Sequence, residues 1–141
     1  MNFIDKALAD RENRSDDDFL QAMAGIYHEP EVRKILHKYP SFIRDVIYII
    51  DYDTELQMEG LEGILEGSMS EMCGEIQSAL INCGALDEAR ILHEARQLDI
   101  ESDDYEEKIE GLQSRTALHN DYEAFWNLVR EYIHSNLCAI H

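Results

Sequence analysis

Apolar residues recur every three or four positions along most of this chain. This spacing is that of one face of an α-helix, and no window shows the two-residue alternation of a strand. The clearest stripes are Ile43, Val46, Ile47 and Ile50, followed by Met69, Met72, Cys73, Ile76, Ala79, Leu80 and Cys83. The pattern predicts an all-α fold, a single compact domain of about seven helices with antiparallel helical hairpins.

Residues that start helices divide the first third of the chain. Ser15 precedes three aspartates, which suits a helix N-cap followed by acids in the first turn. Pro30 and Pro40 are placed to open two further helices. Ahead of Ser15, residues 1–14 are expected to form an N-terminal arm or short helix, and residues 15–141 the all-α acidic domain.

A capping signal and a glycine bound one helix in the middle of the chain. Ser68 and Glu71 fit the capping box S-x-x-E at its start. Gly84 is placed to end it in a left-handed conformation. The next apolar pattern begins at Leu86, so the connection is very short and predicts an antiparallel hairpin.

Negative charge is the strongest compositional feature. The 141 residues contain 30 acidic and 12 basic residues, a net charge of −18. Residues 45–88 hold eleven of the acids and no Lys or Arg, and residues 99–110, a loop or marginal helix, hold seven more acids. A field of this sign disfavours direct contact with nucleic acid phosphates or anionic membranes. It attracts cationic partners.

The cysteines and the lack of long apolar runs indicate the cellular compartment of the protein. The three cysteines are odd in number and form no C-x-x-C pair, which favours reduced thiols. The N-terminal residues lack the apolar core of a signal peptide, and no apolar run approaches the length of a membrane span. We therefore expect a cytoplasmic protein.

The glutamates of residues 55–66 have a spacing that resembles DNA phosphates. Glu55, Glu59, Glu62 and Glu66 would form one stripe on a continuous helix, with neighbours roughly 5–6 Å apart. The glycines within and after this segment would break the helix and scatter the stripe. The predicted acidic binding face comprises Asp51, Asp53, Glu55, Glu59, Glu62, Glu66, Glu71, Glu75, Asp103, Asp104, Glu106 and Glu107.

Four segments carry a family resemblance. They are E-L-Q-M-E-G-L-E-G-I-L-E-G-S (55–68), I-N-C-G-A (81–85), D-E-A-R-I-L-H-E-A (87–95) and F-W-x-L-V-x-E-Y-I (125–133). Over about residues 40–138 the chain resembles a bacterial domain-of-unknown-function family. That family contains a dimeric DNA-mimic protein that occupies the DNA-binding surface of a transcription factor. The resemblance implies an α-helical homodimer and, with it, DNA mimicry.

Enzyme chemistry has one candidate pair in the sequence. Glu131 and His134 form an E-x-x-H pair, as used in di-iron bundles, but such a site needs a second pair and further carboxylates. A histidine near a helix C-terminus explains the pair more simply. G-x-S-x-G, H-E-x-x-H and P-loop motifs are absent from the sequence. A metal-dependent carboxylate enzyme remains the less favoured alternative.

The sequence as a whole favours a non-catalytic acidic binding protein that needs no cofactor and no metal. Its carboxylates would occupy the DNA-binding surface of a basic protein such as a transcription factor, nucleoid protein or nuclease. The alternatives are an immunity or antitoxin-type inhibitor of a basic toxin, and a structural subunit whose acidity serves only solubility.

Overall fold

The structure is a computed structural model that describes residues 1–67 and 69–140. Within these residues the chain forms seven α-helices joined by short 3-10 helices, and no strand. This confirms the predicted all-α fold. The α-helices are α1 (Phe3–Ala9), α2 (Asp16–Met23), α3 (Ser41–Glu66), α4 (Cys73–Asn82), α5 (Leu86–Arg96), α6 (Tyr105–Arg115) and α7 (Tyr122–Cys138). The 3-10 helices are Arg11–Asn13, Ala24–Tyr27, Pro30–Lys38, Ser70–Met72 and Ala117–His119.

Helix α3 is the centre of the fold. It packs against α2, α4, α5, α6, α7 and the 3-10 helix Pro30–Lys38. A helix surrounded in this way must be apolar on more than one face. The predicted stripe is buried at Ile43, Val46 and Ile47, and Phe42 and Ile49 add buried positions on other sides.

The N-terminal segment is part of the core. Asn2 caps α1, whose Ile4 and Ala7 are fully buried, and α1 packs against α2. The predicted N-cap of α2 is confirmed, because the Ser15 hydroxyl accepts the Asp18 N–H at 3.0 Å. Pro30 opens a 3-10 helix rather than an α-helix.

The predicted hairpin is formed by α4 and α5, which pack against each other. Gly84 between them has φ +86°, the left-handed conformation expected from its position. At the other end of α4, the predicted capping box includes Ser68, which lies outside the described residues. The α-helix begins only at Cys73, after the 3-10 turn Ser70–Met72. The acidic run 99–110 was predicted as a loop or a marginal helix. Residues 99–104 lie in turns, as the first alternative expects, whereas residues 105–110 belong to a regular helix, α6.

A kink at Gly60 divides α3. Its φ of +73° and ψ of −172° are non-helical, and a side chain would be strained there. The Leu61 N–H, which has lost its helical acceptor, donates instead to Gln113 Oε1 of α6 at 2.7 Å. The kink therefore both redirects the last turns of α3 and attaches them to α6.

Among the helices of the described residues, none combines the length and the apolar character needed to cross a bilayer.

Candidate acidic binding surface

Four carboxylates of the acidic segment are buried rather than presented to solvent. Asp45, Asp51, Asp53 and Glu88 have exposed fractions of 3%, 7%, 9% and 5%. Each accepts a hydrogen bond from a tyrosine hydroxyl at 2.6 to 2.9 Å. Burial without such partners would be costly for a charged group. Part of the acidity of residues 45–88 is therefore internal and structural.

Asp51 was expected on the binding face, and this expectation is wrong. Its two oxygens accept a bidentate ion pair from Arg33, both contacts at 2.8 Å, and a hydrogen bond from Tyr27 at 2.7 Å. The hydrogen bond to Asp51 raises the pKa of Arg33, and burial above all raises the pKa of Tyr27 to about 12. This cluster attaches the 3-10 segments before α3 to α3 itself.

Asp53 was also placed on the binding face, and it too lies inside. The Tyr122 hydroxyl donates to its carboxylate at 2.9 Å, and Gln57 Nε2 donates at 2.7 Å. Burial raises the pKa of Asp53, while these two hydrogen bonds lower it. The sequence contained a signal for this burial. Asp53 follows Ile49 by four residues and Val46 by seven, so it shares a helix face with two apolar residues.

Glu88 and Asp45 connect further elements. The Tyr52 hydroxyl donates to Glu88 Oε1 at 2.6 Å, and the Ala117 N–H donates to Oε2 at 2.9 Å. Burial raises the pKa of Glu88. Asp45 accepts from the Tyr132 hydroxyl at 2.7 Å, which joins α3 to α7.

The carboxylates beyond Asp53 on α3 fall on two sides of the kink. Glu55 and Glu59 precede Gly60, whereas Glu62 and Glu66 follow it, so the continuous stripe is not formed. Glu55 is half-buried, and its carboxylate lies against the backbone at Gly63. Glu59 and Glu66 are exposed, and Glu62 is half-buried.

Helix α6 brings the second acidic segment beside the first. Glu59 and Glu62 of α3 line a hollow of about 190 Å³ together with Glu110 of α6. Tyr105, the first residue of α6, is buried, and its pKa is raised by burial and also by the charges of Glu66 and Glu62. Two segments that appear separate in the sequence therefore form one surface.

The members of this surface follow from helical spacing. Glu110 and Gln113 of α6 line the hollow, and Glu106 lies one turn before Glu110 on the same side of the helix. The predicted binding face did not include Glu110, although this residue belongs to the acidic run 99–110. We define the acidic surface as Glu59, Glu62, Glu66, Glu106 and Glu110.

Charge on the acidic surface is uncompensated. Within residues 1–67 and 69–140, none of its five carboxylates forms an ion pair. Like charges one turn apart, as at Glu106 and Glu110, cost about 0.2–0.5 kcal/mol per pair. The fold thus holds repelling charges together on this surface.

The remaining predicted residues flank this surface or lie apart from it. Asp103 is exposed in the turn before α6, Glu107 is exposed in the first turn of α6, and Asp104 pairs with Lys108 at 3.0 Å. Hydrogen bonds from Ser102 and Lys108 lower the pKa of Asp104. Glu71 and Glu75 are exposed beside α4 and in its first turn.

The E-x-x-H pair does not form a metal cluster. In the part of the chain that the structure describes, no group of three or more His, Cys, Asp or Glu side chains could hold a metal ion. Glu131 is exposed, and His134 instead faces Asp16, with 3.3 Å between Nδ1 and Oδ2. The described cysteines are free thiols: Cys73 and Cys83 are buried and Cys138 is exposed.

Comparison with known proteins identifies the family. Neither the curated proteins nor the solved structures include a match to this chain. A family model described as DMP19-like protein matches residues 37–137. This range contains α3 to α7 almost completely, and with them the whole acidic surface. The chain therefore belongs to the family of DMP19-like proteins.

Proposed function

We propose that this protein is a non-catalytic DNA mimic whose acidic surface occupies the DNA-binding surface of a basic protein. The partner would be a transcription factor, a nucleoid protein or a nuclease. One observation carries the proposal: α3 and α6 bring five carboxylates without ion pairs onto one surface, and three of them, Glu59, Glu62 and Glu110, line a shared hollow. The chain's membership of the DMP19-like family supports it.

Electrostatics explains how such a surface would compete with DNA. Double-stranded DNA carries one negative charge per about 1.7 Å of helix axis, held in two rows by its strands. Here Glu59, Glu62 and Glu66 lie around the kink of α3, and Glu106 and Glu110 lie one turn apart on the neighbouring α6. Arg and Lys side chains that pair with phosphates also pair with carboxylates, often through two parallel hydrogen bonds for Arg.

Net charge would contribute to the rate of association. A charge of −18 produces a long-range field that steers cationic surfaces towards the molecule. The same charge destabilises the isolated fold through self-repulsion, and a cationic partner relieves that repulsion. The partner contact should therefore weaken as salt screens both effects.

Two charge-matched triple variants test the proposal. Glu59→Gln/Glu62→Gln/Glu110→Gln neutralises the hollow, whereas Glu12→Gln/Asp18→Asn/Glu31→Gln neutralises three exposed acids elsewhere. Each full-length variant is immobilised and exposed to host lysate with and without added duplex DNA. Captured proteins are identified by mass spectrometry, and the affinity of the main one is then measured for the wild type and both variants.

The expected result is capture of a basic DNA-binding protein that duplex DNA displaces. Three exposed ion pairs, each contributing about 0.2–1 kcal/mol, limit the loss in the hollow variant to roughly 100-fold. The control variant should lose much less affinity. Equal losses in both variants would indicate a general charge effect and reject the acidic surface. A partner that DNA does not displace would reject mimicry in favour of an ordinary inhibitory interface.

A further inference from the structure

The end of α7 and the start of α2 bring a thiol, an imidazole and a carboxylate into contact. Cys138 Sγ lies 3.6 Å from His134 Nε2, and His134 Nδ1 lies 3.3 Å from Oδ2 of Asp16. Cys138 and His134 share a helix face because they are four residues apart. Asp16 is 118 residues from His134 in the sequence, so only the packing of α2 on α7 provides it.

This order of groups is that of a nucleophile, a base and a residue that orients the base. In the tautomer that carries its proton on Nδ1, His134 donates to Asp16, and the lone pair of Nε2 faces the thiol. The thiolate is the reactive form of cysteine. His134 is therefore placed to accept the thiol proton, with Asp16 holding the tautomer that allows it.

A shallow hollow of about 540 Å³ adjoins His134. It is lined by Asp16, Asn127, Arg130, Glu131, His134 and Ser135. The positive charge of Arg130 is already paired with Asp17 at 2.9 Å and Glu123 at 2.8 Å. Asp16 and Glu131 therefore give the hollow a negative lining, and the net charge of −18 adds to it. A reagent that enters should be cationic.

We infer that Cys138 is a site of S-thiolation by small cationic disulfides, with His134 as the base and Asp16 as its positioning residue. His134 Nε2 accepts the thiol proton, and the Cys138 sulfur attacks one sulfur of the disulfide. The S–S bond of the reagent breaks as the new S–S bond forms. The released thiolate then takes the proton from the imidazolium, so the products are a mixed disulfide on Cys138 and one free thiol.

The other two thiols of the described chain are poor competitors. Cys73 and Cys83 are 3% and 6% exposed, so a disulfide reagent has little access to them. Burial raises the pKa of both thiols, that of Cys83 to about 11, which lowers their thiolate content at neutral pH. Modification of the folded protein should therefore be confined to one position.

The test measures the rate of modification of the full-length, reduced protein at neutral pH by intact mass. The reagents are cystamine, a disulfide with two ammonium groups, and glutathione disulfide, which is anionic. The variants are Cys138→Ser, His134→Gln and Asp16→Asn. His28→Gln and Asp18→Asn are matched controls, because both residues are exposed and lie outside the cluster. Circular dichroism verifies that each variant remains folded.

We expect a single cystamine adduct on the wild type and none on Cys138→Ser. A positioned base accelerates proton transfer by about 10²–10⁴-fold in enzymes, and for this exposed cluster we expect His134→Gln to slow the reaction on the order of tenfold. Asp16→Asn should slow it less, and both controls should react as the wild type does. Cystamine should react faster than glutathione disulfide.

Three results would overturn the inference. Equal rates for the wild type and folded His134→Gln would show that the imidazole does not activate the thiol. A fall in rate as large in His28→Gln as in His134→Gln would show a general effect of charge or folding. Faster reaction with glutathione disulfide would reject the cationic class of reagent.

Discussion

Removing the hydroxyl of Tyr52 tests whether the buried acids are structural. Tyr52 is 1% exposed, and its hydroxyl donates to the buried Glu88 carboxylate at 2.6 Å. In Tyr52→Phe one carboxylate oxygen loses this donor, and water has no ready access to replace it. Hydrogen bonds to charged groups contribute about 1.5–3 kcal/mol, so we expect the free energy of unfolding to fall by about 2–3 kcal/mol at pH 7.

The pH dependence of this loss has a definite sign. Burial raises the pKa of Glu88 above 4.5, and the Tyr52 hydrogen bond opposes that rise. A carboxyl whose folded pKa is raised contributes most stability below its unfolded pKa and loses that contribution as pH rises through the folded pKa. Tyr52→Phe raises the folded pKa further. The stability deficit of the variant should therefore shrink as pH falls from 7 towards the protonation of Glu88.

Urea unfolding at several pH values provides the measurement, with Tyr39→Phe as the matched control. The Tyr39 hydroxyl also donates to a carboxylate, Asp5 at 2.9 Å, but at a partly exposed position where water can substitute. We expect a loss of about 1 kcal/mol or less there. A double-mutant cycle with Glu88→Gln isolates the pairwise energy. A loss below about 0.5 kcal/mol at pH 7, or no coupling in the cycle, would refute the structural role.

Three further predictions concern the kink, a second buried acid and the oligomeric state. Gly60→Ala places a side chain at φ +73° and should lower the free energy of unfolding by about 1–2 kcal/mol, whereas Gly111→Ala, in open space on α6, should raise it by about 0.5–1 kcal/mol. A higher free energy of unfolding for Gly60→Ala, measured in urea, would contradict the positive φ at Gly60. Arg33→Gln leaves the buried Asp51 without its cation and should lower the free energy of unfolding in urea by about 3 kcal/mol at pH 7. A loss below about 1 kcal/mol, the level of an exposed pair, would contradict the pairing. The homodimer implied by the family resemblance predicts twice the chain mass in light scattering, and the mass of one chain would reject it.

Local signals in the sequence predicted several helices and their ends correctly. Ser15 and Gly84 behave as predicted because a cap depends on backbone groups only a few residues away. The apolar stripe of α3 was likewise predicted correctly at Ile43, Val46 and Ile47, since helical periodicity alone decides which positions share a face. The Pro30 segment was predicted as a helix but not as 3-10, because that choice depends on its packing against α3.

Which acids face solvent could not be read from composition. Asp51 accepts hydrogen bonds from Tyr27 and Arg33, and Asp53 accepts one from Tyr122, which lies 69 residues further along the chain. Burial of a carboxylate is acceptable only where such donors converge, and that convergence exists only in the folded protein.

Local and additive features of the sequence were enough to establish that this protein is all-helical and acidic and to indicate its family. Helical period, caps and net charge are local or additive properties, so they can be read from the sequence without the tertiary structure. The tertiary structure alone decided that α6 lies beside the kinked end of α3, which unites two distant acidic segments into one surface. It also decided that Asp16 meets His134 and Cys138. Contacts of this kind depend on how helices pack, and packing is a property of the whole chain.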